Sequence, residues 1–167
     1  MNKKNNIKIS ILLVLGLCIC AGCSAQQGKK YTTEDLDYLA EIKIYSAENN
    51  ELIKTINDEE QLYQYNQCLL FDDSDISDIQ ERQNELKKAL EEAKEQYYLT
   101  SYKYPVARFG EKQLEENTTI TLYEDKNIIK MTVAQESIKA FSIPEEFLIF
   151  YYEISEEEMN FYRSFIE

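Results

Sequence analysis

Residues 41–70 read EIKIYSAENNELIKTINDEEQLYQYNQCLL, and the fold follows from how their periodicity changes. Ile42 and Ile44 alternate with Lys43 and Tyr45, which is the period of a half-buried strand. Ala47-Glu48-Asn49-Asn50 then supplies turn residues, and ELIKTI resumes as a second strand, so the pair predicts a hairpin. At Asn57-Asp58 the period changes again. Asp58 can cap a helix whose Gln61 lies three positions on, and Leu62, Tyr65 and Leu69 then fall on one face beside Cys68.

Downstream, FDDSDISDIQ reads as an acidic loop, followed by the longest helix, from about residue 78 to 97. Leu86, Ala89, Leu90, Ala93 and Tyr97 draw its narrow apolar stripe, and Glu85 with Lys88 and Glu91 with Lys94 suit an exposed helix lying across a sheet. Strand patterns follow in YLTSYKYPVARF, TITLYED, IIKMTVA, SIKAFSI and FLIFYYEI. Pro105 places the first of these at a sheet edge. Lys126-Asn127 reads as a two-residue hairpin turn. FLIFYYEI is apolar on both faces and is expected in the middle of the sheet. The closing helix is signed most completely, with Ser155 and Glu158 as a capping box and Ile154 and Met159 as a hydrophobic staple. Met159, Tyr162 and Ile166 line its inner face. The element order predicts an α+β fold, with helices packed on an antiparallel sheet.

The first thirty residues have a different purpose. Lys3, Lys4 and Lys8 precede an apolar run from Ile11 to Ala21, closed by small residues, which is the layout of a secretory signal peptide. The run is shorter than the roughly 20 residues of a spanning helix. Cys20-Ala21-Gly22-Cys23 resembles the lipobox of bacterial lipoproteins, usually Leu-Ala-Gly-Cys, with Cys20 where leucine is common. In that family the cysteine is diacylated and a peptidase cuts just before it. The resemblance implies that Cys23 is the lipidated first residue of the mature chain and that a diacylglyceryl anchor holds it to the extracytoplasmic face of the cell membrane. The apparent metal motif CICAGC, from Cys18 to Cys23, then has no role as ligands. The expected organisation is a signal peptide over 1–22, a lipidated cysteine and tether over 23–33, and one α+β domain over 34–167.

Residues 41–70 are also similar to small lipoproteins of Gram-positive bacteria that show a strand, a turn, a second strand and a Thr-Ile-x-Asp-x-Glu helix start. Here that start is Thr55-Ile56-Asn57-Asp58-Glu59-Glu60. The resemblance implies no particular activity.

Charge and composition narrow the function. The chain has 18 Lys and Arg against 31 Asp and Glu, a net charge of −13. Such a surface repels nucleic acid, whose phosphates require basic contacts, and steers instead towards a basic protein, peptide or cation. The chain has no histidine, so neither a Ser–His nor a Cys–His pair can form and the commonest zinc ligand is missing. Cys68 is expected as a small hydrophobe rather than a nucleophile. Asp73, Asp75 and Ser77 match the first, third and fifth positions of a calcium loop, but Asp78 stands where glycine is needed and Asn84 where a bidentate glutamate is needed. Ser77 is better read as the cap of the following helix, with Gln80 three residues on. No metal or other cofactor is expected.

Tyr98, Tyr102 and Tyr104, on one face of their strand, are expected to pack under the long helix, with an exposed recognition surface as the alternative. Asn117-Thr118-Thr119 matches a glycosylation acceptor and reads as a turn. Together these readings favour a membrane-anchored, non-enzymatic, acidic binding module. The competing expectation is a small envelope enzyme or accessory subunit using paired carboxylates on cell-wall material.

Overall fold

The computed structural model describes residues 30–68, 76–105, 113–138 and 143–167. Cys23, Asp73, Asp75 and Leu69 lie outside these residues, as does Val106. The compact unit runs from Tyr31 to Glu167. Tyr31 and Leu36 are buried in its core.

The 41–70 stretch folds as its periodicity predicts. β1 (Leu39–Ser46) and β2 (Leu52–Ile56) form an antiparallel hairpin, turning through Asn50 at φ 56°, a left-handed conformation that asparagine tolerates. α1 (Glu59–Gln67) starts at Asp58, whose carboxylate accepts the Gln61 N–H at 3.1 Å. The chain continues through α2 (Ile76–Ala89), β3 (Glu95–Lys103), β4 (Glu115–Tyr123), β5 (Ile128–Val133) and β6 (Ile149–Glu153) to α3 (Glu156–Ser164). All six strands join one antiparallel sheet, in the order β2-β1-β3-β4-β5-β6. The fold is α+β.

Strand register separates two faces. One carries Ile42 and Ile44, Leu99, Ile120 and Leu122, Ile129 and Met131, which are cross-strand neighbours. Leu62 and Tyr65 of α1 and Met159 and Tyr162 of α3 pack into the same cluster. Burying each such aliphatic side chain stabilises by about 1.5–3 kcal/mol. The Tyr65 ring meets Tyr162 and Phe165 edge-on, with centroids 6.2 and 5.9 Å away. The capping box holds as read. The Ser155 N–H donates to Glu158 Oε2 at 2.7 Å, and the Glu158 N–H donates to Ser155 Oγ at 3.2 Å.

Several expectations are corrected. The long helix ends at Ala89, not near Tyr97, because Glu95 onward pairs with β4 and places Tyr97 beside Leu122 on the core face. It also begins at Ile76, so Ser77 falls within its first turn rather than at its cap. β3 is an interior strand between β1 and β4, and Pro105 lies past its end. The β4–β5 connection spans residues 124–127, with Asp125 at φ 55°, rather than two residues. Asn117 and Thr118 are strand residues of β4, not a turn. SIKAFSI does not form the expected strand at its start: Gln135–Ser137 is a 3-10 turn, and residues 139–142 lie outside those described.

The last correction concerns β6, which is an edge strand and not a central one. Its preceding residues Glu145–Leu148 form a 3-10 turn, and α2 packs against it. That cover explains why both of its faces are apolar.

Candidate functional site

The second face of the sheet has a different composition. Register places Leu52, Tyr45, Tyr98, Thr121, Lys130 and Tyr151 in one row across all six strands. The adjacent row is Thr55, Lys43, Thr100, Thr119, Thr132 and Ile149. Alternation alone produces this result, because a strand with isoleucine on one side here carries tyrosine, threonine or lysine on the other.

Glu95 is the junction of this face. Tyr98 Oη donates to its Oε2 at 2.6 Å, Lys130 Nζ to its Oε1 at 2.6 Å, and Tyr123 Oη to the same oxygen at 3.3 Å. One carboxylate thereby ties β3, β4 and β5 together. Burial opposes its ionisation, but the Lys130 ammonium and the two tyrosine hydroxyls outweigh that effect and hold the carboxyl below its usual range. A general acid needs a raised pKa and an uncommitted proton, so this environment suits a structural carboxylate.

Beside it lies an aromatic and charged group on β1 and β3. Lys43 Nζ sits 4.5 Å from the centroid of the Tyr102 ring and 2.9 Å from Glu41 Oε1. The Glu41 hydrogen bond raises the Lys43 pKa against the opposing effect of burial. Burial, together with the neighbouring Tyr45 hydroxyl, pushes Tyr102 up to about 12. Tyr98 rises to about 12 through its bond to Glu95. These phenols remain protonated at neutral pH.

The sequence candidates distribute unevenly. Tyr98 and Tyr102 share this face of β3, half-buried, and the Tyr98 hydroxyl is committed to Glu95. Tyr104 lies beyond the strand end, 49% exposed, with its N–H donated to the Tyr38 carbonyl at 2.9 Å. Asp73 and Asp75 lie outside the described residues, as does the Ser77 side chain. Among the described residues, no group of three or more Asp, Glu or Cys is placed to hold a metal ion. Cys68 is half-buried at the end of α1, and burial followed by the nearby Glu158 raises its thiol pKa, the opposite of nucleophile activation. Glu95, Lys43 and Lys130 were missed from sequence. Glu95 was hidden by its assignment to the long helix, and no local signal marks the two lysines.

A groove of about 530 Å³ opens between α2 and β6, lined by Ile79, Gln80, Phe147, Ile149 and Phe150. Phe147 is 64% exposed at its rim.

No family model, curated protein or solved structure matches this chain. No helix among the described residues is long and apolar enough to cross a membrane.

Proposed function

We propose that the chain is a lipid-anchored extracytoplasmic module that binds a basic protein or peptide through its acidic surface. The observation that supports this reading most is the placement of charge. Lys43, Arg82, Lys94, Lys103 and Lys130 are each engaged by a carboxylate: Glu41, Glu153, Glu124, Asp37 and Glu95 respectively. Glu48, Glu51, Asp58, Glu59, Glu156 and Glu157 are exposed and, among the described residues, pair with no lysine or arginine. Those five cations are neutralised in place, and acids outnumber bases 31 to 18 along the chain, so the surface presents a surplus of acid. A field of one sign accelerates encounter with a partner of the other sign, and salt weakens it.

The anchor rests on the lipobox-like sequence ending at Cys23. Two acyl chains hold a protein at a membrane far more firmly than one. The test is cross-linking capture from intact cells by the anchored chain, washed at low and at high salt. A basic partner retained at low salt and released at high salt supports the proposal; no partner at either salt overturns it.

A further inference from the structure

The two edges of the sheet are treated differently. At β6, the Gln83 side chain bonds both backbone polar groups of Tyr151, and Arg82 pairs with Glu153. That edge is covered. At β2, among the described residues, no hydrogen bond reaches the strand from its outer side. An antiparallel strand spends alternate backbone groups on its one neighbour, so the rest of those of β2 face outward. Its sequence, LIKTI, has no proline and a single charge, and Leu52 and Ile53 are 49% and 45% exposed. Such an edge is a template for an added strand.

Charge selects the occupant. Exposed Glu48 and Glu51 stand at one end of β2, and exposed Asp58 and Glu59 at the other. Among the described residues, none of the four is paired with a lysine or arginine. At about 3.3 Å per residue the two acidic ends lie on the order of 20 Å apart. A second copy pairing antiparallel through its own β2 would set the Glu48 and Glu51 end against Asp58 and Glu59 of its partner, acid against acid at both ends. We infer that β2 accepts an extended segment of a partner protein, apolar and β-forming at its centre with basic residues at both ends, which pairs as a seventh strand. This rests on the acidic-module reading and names the part of the surface that reads the partner. Main-chain hydrogen bonds supply the affinity, Leu52 and Ile53 meet the apolar centre, and the acidic ends set the register.

The test uses the full anchored chain in detergent and three synthetic peptides. One has an alternating Val-Thr centre flanked by lysines, the second carries the same flanks with prolines in the centre, and the third has the Val-Thr centre flanked by glutamates. The expected result is that only the first binds, slowing amide exchange in β2. Thr55→Pro, which removes an edge donor, should weaken binding about tenfold or more. If Thr55→Pro lowers the melting temperature, Ile53→Lys replaces it, since that side chain is already half in solvent. Equal binding of the proline peptide would leave the acidic-module reading standing and overturn the edge. Equal binding of the glutamate peptide would overturn the charge selection. Binding of none overturns the inference outright.

Discussion

Gln83 and Tyr151 form a closed pair: the Tyr151 N–H donates to Gln83 Oε1 at 2.7 Å, and Gln83 Nε2 donates to the Tyr151 carbonyl at 2.8 Å. A side-chain amide has the same donor and acceptor as a backbone peptide, so Gln83 occupies the place of a further strand. The edge that would otherwise template aggregation is thereby satisfied. Gln83→Ala should cost about 1–2 kcal/mol, because two partly buried hydrogen bonds are lost. Gln83→Glu should cost a similar amount, since a carboxylate can accept from Tyr151 but cannot donate to it. Chemical denaturation of the two variants checks this, and an unchanged midpoint for both would remove Gln83 as the edge cover.

Two buried tyrosines should respond oppositely to loss of the hydroxyl. Tyr162 Oη donates to the Cys68 carbonyl at 3.1 Å, so Tyr162→Phe should destabilise by about 1 kcal/mol. Tyr65 Oη is fully buried and closes no hydrogen bond of regular geometry, although Thr118 lies beside it. The Thr118 hydroxyl is already engaged with Ser101 at 2.8 Å. Tyr65→Phe should therefore be neutral or stabilising, because an unsatisfied buried donor is removed. Thermal melts of both variants discriminate: equal destabilisation would mean that Tyr65 has a partner in solution.

Acid should weaken the fold through Glu95 and Glu158. Hydrogen bonds from Ser155 hold Glu158 below its ordinary value, and Lys130 with the tyrosine hydroxyls does the same for Glu95 against burial. The folded pKa is below the unfolded one in both cases, so the unfolded chain binds more protons as pH falls. Their stabilisation is complete above the ordinary carboxyl value of 4.5 and is lost as pH falls through the lowered folded values. Glu95→Gln and Glu158→Gln should each flatten the acid limb of a stability–pH profile. A slope unchanged in both variants would contradict the assignment.

Cys23→Ser should move the protein from the membrane fraction to the medium, since the proposed anchor requires the thiol. Retention at the membrane in that variant would overturn the lipidation proposal.

What could be read from the sequence was local. Asp58, Ser155 and Glu158 act within three residues of themselves, and Ile42 with Ile44 shows its face by alternation, so the hairpin and both capped helices were legible. What failed depended on distant partners. FLIFYYEI reads as central because its apolar faces are visible and their cover is not; that cover is α2, far back in the chain, whose Gln83 also closes the strand's edge. Pro105 suggested an edge, but β1 and β4 flank β3 through residues the local pattern does not name. The helix ran too far because Leu90, Ala93 and Tyr97 continue a helical stripe, while pairing with β4 takes Tyr97 into the sheet. Once Glu95 was assigned to that helix, its three donors on three strands could not be seen. The surplus of acid was legible in composition, but its distribution was not, because ion pairing of the lysines is settled only by the fold.

The most direct measurement compares cross-linking capture from intact cells by the parent chain and by a variant carrying Glu48→Gln, Glu51→Gln, Asp58→Asn and Glu59→Gln. Asparagine still caps α1, and glutamine at 59 can still accept the Tyr31 N–H, so the fold should be kept. The parent should retain a basic partner at low salt and release it at high salt, and the neutralised variant should retain much less at low salt. Equal capture by both chains, insensitive to salt, would contradict recognition through the acidic surface.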